Sequence, residues 1–492
     1  MVKDKGMKEL NRREFLAAAA GSAAAALLPF SGCSSGPAVR KEGAAQRPNI
    51  VFIFSDQQHW RACGFQDEFF DTPHLDYIAK NGIVFDRAFC TTPQCSPSRS
   101  SIMTGFYPST TGVMGNMGAA GGEPLNQRTI GAMLQAGGYR TGYFGKWHLG
   151  MREVATAGWD DDFGVLKPVR NNAEKDCQTS RRAVKFLRES AGGAKPFALF
   201  LSYNDPHDIY YFADHKVDLL NGQIPLPSSW YRETFEDKPG VHKQFMTEDQ
   251  GTGILDKNKG QWQLYRDWYR KKVAIYDNHV GEVLGELKAS GLWDNTLIVV
   301  TSDHGDMDTH HRLIFKGPFM YEQMVRVPLI IRVPRRFGGI SPRRICDLDV
   351  VNVDFVPTLL EFAGLEPVLC DGISLVPILT GASGQKKRDF VISQYYGKQQ
   401  WVNPIRMLRT PEFKYNKYLH HAEELYDLAN DPDELVNLAE KGKYAEIKKQ
   451  LAGELDDWIK ANNDPFYSLS RKPLLKGRGQ LKSKSMVSSD KK

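Results

Sequence analysis

The chain has 492 residues, 41% hydrophobic, 11% aromatic and 25% charged, a globular composition that excludes wholesale disorder, a collagen repeat and a coiled coil. Its formal charge of +6 is terminal in origin: the last 22 residues carry +7 and the first 33 carry +2, leaving the body at −3. A slightly acidic body is not the footprint of a nucleic-acid binder, and a chain this long buries about three quarters of its unfolded surface without covalent staples.

The first element is a leader. Arg12-Arg13 and Phe15-Leu16 precede an Ala-rich apolar run at 17–28, the layout of a cleaved export signal, and that run is too short to span a bilayer. The paired arginines resemble a twin-arginine signal, with Asn11 where Ser or Thr is usual. Phe30-Ser31-Gly32-Cys33 resembles a lipobox. Residues 1–33 are therefore expected to direct export to a bacterial periplasm, with lipidated Cys33 as the expected membrane anchor, and 34–46 to form a linker. The basic stretch 469–492 is expected to be a disordered tail.

Buried-strand runs follow at 49–54, 139–144, 197–202 and 297–302. Between them Tyr265, Tyr269, Val273, Tyr276, Val280, Leu284 and Leu287 recur at helical spacing, and Gly291 stops that helix. Strands separated by helices predict an α/β domain over 47–384 with a large, mostly parallel sheet flanked by helices. Past 385 the texture changes. Segments 389–396, 405–410 and 413–419 read as short strands and 444–462 as a helix, predicting a smaller α+β region over 385–468 with an antiparallel sheet. Apart from Cys33 and Cys95, the cysteines are Cys63, Cys90, Cys177, Cys346 and Cys370. Odd in number, scattered and without a C-x-x-C pair, they form neither a disulfide framework nor a zinc ribbon.

In open α/β sheets ligands bind beyond the carboxyl ends of the strands, and here each strand ends in chemistry. The first leads into Asp56-Gln57, the second into Lys146-Trp147-His148, the third into Asn204-Asp205-Pro206-His207, and the fourth into Asp303-His304-Gly305, with Lys316 further on. One such residue is uninformative; four coincident clusters of carboxylate, imidazole and ammonium groups predict a pocket for a metal and an anion. A fifth element is Cys95-Ser-Pro-Ser-Arg99, continuing to Thr104-Gly105. Pro97 suits a first helical turn and Gly105 a stop. Cys95 is thereby placed at a helix N-terminus, where backbone N–H groups favour an anion.

The Cys-x-Pro-x-Arg segment, followed by Thr104-Gly105, resembles the motif of the type I, formylglycine-dependent sulfatases of the alkaline phosphatase superfamily. Asp56, Gly145-Lys146-Trp147-His148, Pro206-His207, Asp303-His304-Gly305 and Lys316 fall in the family's order. So do 354–364, 371–381 and 424–428, and the resemblance covers roughly 47–465. It resembles exported bacterial arylsulfatases and carbohydrate sulfatases. Two positions depart from the commonest pattern: Gln57 stands where many members have an acid, and His304 where several have Asn.

The resemblance implies an alkaline-phosphatase-like fold and a mechanism. Cys95 is oxidised by a formylglycine-generating enzyme, and the hydrated aldehyde attacks the sulfur of a sulfate monoester. Its second hydroxyl then loses a proton, and sulfate leaves as the aldehyde reforms. Asp56, Gln57, Asp303, His304 and the modified Cys95 hold one divalent cation, for which oxygen-rich ligation favours calcium. Arg99 and Lys146 orient the nucleophile and sulfate. His148 takes the second hydroxyl's proton, and His207 or Lys316 protonates the leaving alcohol. Asp308, His310 and His311 leave two readings open, substrate-pocket wall or surface loop. The alternative activity is a phosphonate or phosphate monoester hydrolase of the same superfamily. A non-catalytic binder of sulfated glycans would predict erosion of Cys95, Arg99 or Lys146, all of which are present.

Overall fold

The structure, a computed structural model, describes residues 47–150, 157–161, 172–214, 224–254 and 258–469. The leader, the linker and the basic tail from 470 onward lie outside the described residues. No helix among the described residues is long and apolar enough to cross a membrane.

The four strands expected from apolar runs form the centre of one sheet. They are β1 (Asn49–Asp56), β4 (Arg140–Gly145), β5 (Phe197–Pro206) and β6 (Thr296–Ser302). Shorter strands extend the sheet: β2 (Ile83–Phe85), β7 (Leu329–Arg332) and β8 (Arg343–Ile345), while β3 (Ala88–Phe89) pairs with β9 (Val350–Val351) apart from it. The order is β4-β5-β1-β6-β7-β2-β8. β4, β5, β1 and β6 run parallel, and β7 is antiparallel to both β6 and β2. Every residue of β1 is buried, as expected of a parallel strand covered on both faces. Ile50, Phe52 and Phe54 enter one core and Val51 and Ile53 the other, the two-residue alternation of a pleated strand.

Five helices matter for the site and its frame: α1 (Pro73–Asn81), α2 (Cys95–Thr104), α3 (Asn172–Ser190), α4 (Lys259–Ala289) and α5 (Ala445–Ala461). α4 buries Tyr265, Tyr269, Val273, Tyr276, Val280, Leu284 and Leu287, the face read from their spacing.

The C-terminal part is a four-stranded antiparallel sheet, β10 (Val391–Lys398), β11 (Trp401–Arg409), β12 (Phe413–Tyr418) and β13 (Glu424–Asp427), with α5 against it. Ile392, Leu408, Tyr415 and Leu425 pack on Leu451, Leu455 and Ile459 of α5. Val391, Tyr395, Ile405 and Met407 join the main core. Buried ion pairs reinforce the junction: Glu322 meets Arg409 at 3.0 Å and Lys414 at 2.8 Å. One face of the small sheet is therefore continuous with the large region, which brings the β10–β11 turn to the site.

Candidate active site

Register sets the geometry. Gly145 pairs with Ser202, Ser202 with Phe54, and Ser55 with Ser302, so four adjacent parallel strands end level with one another. The residues following them share one edge. Gly145 has φ 108°, and a Cβ there would lie 1.9 Å from the Ser202 carbonyl oxygen. Only glycine permits so close an approach, which lets Lys146 N–H donate to Ser202 O at 2.9 Å. Gln57 and His148 occupy positive φ, 77° and 60°, conformations a fold retains at functional turns.

α2 delivers the fifth element. Gln94 is its N-cap, Gly105 closes it in the left-handed region at φ 77°, and every residue from Cys95 to Thr104 is buried. Ser98 Oγ donates to Asp303 O at 2.5 Å, and Asn116 Oδ1 accepts from Ser96 N–H at 3.0 Å. The first turn is thus bolted to the end of β6.

Side chains from all five elements converge on Cys95. Its Sγ lies 2.8 Å from Lys316 Nζ, 3.3 Å from His304 Nε2, 3.6 Å from Asp56 Oδ1 and 3.7 Å from Lys146 Nζ. Arg99, fully buried, donates from Nε to Asp303 Oδ2 at 2.8 Å and from Nη2 to Asp56 Oδ2 at 3.0 Å. Its Nη1 bonds Ser202 Oγ at 2.6 Å and Lys146 O at 2.5 Å. Lys146 Nζ donates to Asp56 Oδ2 at 2.5 Å. His148 and His207 line the same cavity, of about 530 Å3, a size typical of small-ligand sites.

Electrostatics follow from this crowding. Burial and Cys95 push the Asp56 carboxyl up, but Lys146, His207 and Lys316 more than offset them and hold it below the carboxylate range. Burial and then the charge of Asp56 raise Asp303. Burial alone would raise the Cys95 thiol, yet Lys146, Lys316 and His304 bring it well below its ordinary value. Burial and Lys146 press His207 down to about 4. Lys316 is raised against its burial by Cys95 and Asp56. The site stabilises negative charge at Cys95 Sγ.

The donor set fits a hard divalent cation. Ligand atoms of Asp56, Cys95, Asp303 and His304 all lie within 4.8 Å of one another. His304 Nδ1 is 2.9 Å from Gly305 O; with the proton there, Nε2 presents its lone pair to the cluster. Gln57 Nε2 donates to Asp306 Oδ2 at 2.7 Å, which leaves Gln57 Oε1 buried without a hydrogen-bond partner. An orphaned, buried amide oxygen next in sequence to Asp56 is of the type that ligates calcium.

The structure thus brings together Asp56, Gln57, Cys95, Arg99, Lys146, His148, His207, Asp303, His304 and Lys316. Neither sequence reading of Asp308, His310 and His311 holds. All three are buried and outside the cavity lining. Asp308 faces His59 and Arg266, His310 lies 3.1 Å from Ser229 Oγ, and His311 pairs with Glu233 at 2.8 Å. Residues not singled out from sequence also reach the cavity: Asn116, Lys175, Tyr210 and Lys398. No motif announces them, because tertiary packing alone sets their approach. The six described cysteines are all free thiols.

A sulfatase family model matches residues 48–365, and a model for the N-sulphoglucosamine sulphohydrolase C-terminal region matches 310–461. The chain is 30% identical over 453 residues to a Delta 4,5-hexuronate-2-O-sulfatase of Bacteroides thetaiotaomicron, covering 87% of this chain and 92% of that protein. Among solved structures, a 2-O GAG sulfatase superposes with TM-score 0.77 at 27% identity, over 87% of this chain and 95% of the other. A protein solved in complex with its substrate D-glucosamine-2-N,6-O-disulfate superposes with TM-score 0.74 at 25% identity, over 86% and 100%.

Proposed function

The chain belongs to the sulfatase family, and from that premise we propose that it removes sulfate from sulfated carbohydrates by a formylglycine-dependent, cation-assisted hydrolysis. The observation that carries this reading is the convergence of Lys146, Lys316, His304 and Asp56 on Cys95 Sγ at the start of a buried helix. The thiol stands where the oxygens of a hydrated formylglycine would stand. The sulfated-sugar relatives support the choice of substrate.

The modified Cys95 supplies two hydroxyls, one to attack sulfur and one to expel sulfate afterwards. The cation, held by Asp56, Gln57, Asp303, His304 and the modified Cys95, supplies Lewis acidity that favours ionisation of the nucleophile. The remaining work is done by the chain's own side chains. Arg99 locks Asp56 and Asp303 into one orientation. Lys146 and Lys316 bring two ammonium groups to the nucleophile, where they stabilise the ionised hydroxyl before it attacks sulfur. His148 lines the cavity beside Cys95, where its ring takes the second hydroxyl's proton.

His207 and Lys316 both line the cavity beside Cys95, and we assign the proton donor to His207. Lys316 Nζ stands 2.8 Å from Cys95 Sγ, a place from which it can steady the sulfate throughout. His207 is neutral among cations, and the negative charge of an arriving sulfate opposes the Lys146 effect and favours its protonation. His207→Asn should therefore slow an alkyl sulfate ester far more than nitrophenyl sulfate, whose leaving group needs no proton. Equal losses on both esters would remove His207 from this role. The activity itself is tested by incubating matured enzyme with a panel of sulfated mono- and disaccharides and measuring released sulfate, with a phenyl phosphonate ester alongside. Turnover of the phosphonate alone would replace the sulfatase reading by the phosphonate hydrolase one.

A further inference from the structure

The cavity is more cationic than one sulfate requires. Four lysines line it, Lys146, Lys175, Lys316 and Lys398, and no carboxylate is among its described lining residues. Lys146 and Lys316 bond Cys95 Sγ. The other two come from elements that take no part in the chemistry.

Lys175 lies in the first turn of α3, next to Asp176. The Asp176 carboxylate accepts from Asn204 N–H at 2.8 Å, from Asn204 Nδ2 at 2.8 Å and from Asp205 N–H at 2.9 Å. Those bonds clamp the start of α3 to the end of β5, so the backbone carrying Lys175 is fixed at the cavity edge. Lys398 is the last residue of β10 and pairs with Trp401 across the turn to β11. It is buried, and its Nζ donates to the backbone oxygen of Lys316. A carbonyl satisfies one donor of an ammonium group but does not neutralise its charge. Among the described residues Lys398 has no ion pair as close as those of Lys238, Lys272 or Lys414; the opposing charge acting on it is the buried carboxylate of Asp249. A buried ammonium group offset only by Asp249 is costly to keep charged, and a ligand anion seated beside it supplies further opposing charge. Tyr210, stacked on Phe315, and Tyr211 also line the cavity, and Tyr211, with 55% of its surface exposed, offers a flat face to a sugar ring.

We propose that Lys175 and Lys398 form a second anion subsite, so that the preferred substrate is a sulfated sugar carrying another anionic group, a carboxylate or a second sulfate, beside the ester that is cleaved. The proposal rests on the sulfatase reading and names its substrate class.

The test is steady-state kinetics of matured, full-length enzyme on three sugars sharing the same scissile sulfate: a neutral one, one with a carboxylate and one with a second sulfate. The expected result is a KM roughly 10–100-fold lower for at least one doubly anionic sugar than for the neutral one, the scale of a charged hydrogen bond. Which sugar gains identifies the anion. Lys175→Ala and Lys398→Met should each remove most of that preference, acting on KM far more than on kcat. Lys175 is only half-buried, so its variant carries the test if Lys398→Met melts early. Equal KM on all three sugars overturns the subsite, as do variants that slow every substrate alike. Release of sulfate from none of the three refutes the sulfatase reading instead.

Discussion

Gln57 and Asp306 are joined by one hydrogen bond, Nε2 to Oδ2 at 2.7 Å, and that bond leaves Gln57 Oε1 buried without a hydrogen-bond partner. Tyr265 donates to Asp306 from the other side, at 2.8 and 3.0 Å, and Asp308 N–H adds a bond at 2.7 Å. Asp306 therefore holds the amide by Nε2, and we propose that it positions the unpartnered Oε1 as a ligand of the cation. Asp306→Ala should weaken calcium binding about 10–100-fold, the usual loss when such support is removed. Asp306→Asn retains an acceptor and should lose much less. Titration calorimetry of metal-free protein reads this without any substrate. Unchanged calcium affinity in Asp306→Ala would mean that Gln57 is oriented by something else.

Cys95 is expected to be formylglycine in active protein. Mass spectrometry of the peptide spanning 88–99 should show the aldehyde or its hydrate in place of the thiol. Cys95→Ala should drop sulfate release to background while the thermal melt moves little, because the helix it starts is held by Ser98 and Asn116 rather than by the thiol. Full activity in protein carrying only free thiol at Cys95 would end the proposed mechanism.

Much of this site was legible because of where its residues sit on the sheet. β1, β4, β5 and β6 are central parallel strands, and strands buried on both faces read as unbroken apolar runs. Once they were read, their carboxyl ends named Asp56, Lys146, His207 and Asp303, and level register did the rest. β2, β7 and β8 were missed, being three or four residues long, too short for a periodic signal. β13 was missed as a strand because Glu424-Leu-Tyr-Asp427 carries acids at both ends; Glu424 is satisfied inside by Asn416 and Tyr418. Asp308 and His311 looked like candidates for the cavity because of their chemistry and their place before Lys316. The backbone there takes positive φ at Asp308, Thr309, His311, Arg312 and Phe315, and these turns carry the imidazole and carboxylate groups into the interior. Lys398 was invisible for the opposite reason: it belongs to a different sheet, and only packing brings it beside Lys316.

Lys398 also predicts a pH signature. Burial, with Lys316 adding to it and Asp249 opposing, lowers its ammonium from 10.5 to about 7. Below about pH 7 the folded and unfolded chains both carry the charge, and the fold bears the whole penalty of burying it. Between 7 and 10.5 the unfolded chain holds the proton that the folded chain has released. The unfolded state then binds more protons, so this group's contribution to stability rises with pH. Lys398→Met should accordingly melt higher than the parent at pH 6.5, and the gain should shrink as pH approaches 10.5. Paired calorimetric scans across that range check it. A constant offset at every pH would show that the side chain's packing, not its charge, sets the difference. A gain in stability together with a loss of substrate preference would mark Lys398 as a residue kept for binding at the expense of folding.

The last prediction ties export to maturation, and we propose it from residues 1–33. A formylglycine-generating enzyme must reach the Cys95 segment while it is extended. In the fold, every residue from Cys95 to Thr104 is buried, so modification has to precede folding. In a bacterium whose maturation enzyme is cytoplasmic, a route that carries folded proteins lets both steps finish before export. The general secretory route would thread the chain out unfolded and leave little time for either. This gives a physical reason for Arg12-Arg13 to share a chain with the Cys95 motif. Replacing both arginines by lysine should strand matured, active enzyme in the cytoplasm, read as sulfatase activity and formylglycine content in each cell fraction. Cys33→Ala should separately move the exported protein from the membrane fraction to the soluble periplasm. Normal export of the double-lysine variant would sever the link between route and modification. Activity lost together with export would show instead that maturation happens after the membrane is crossed.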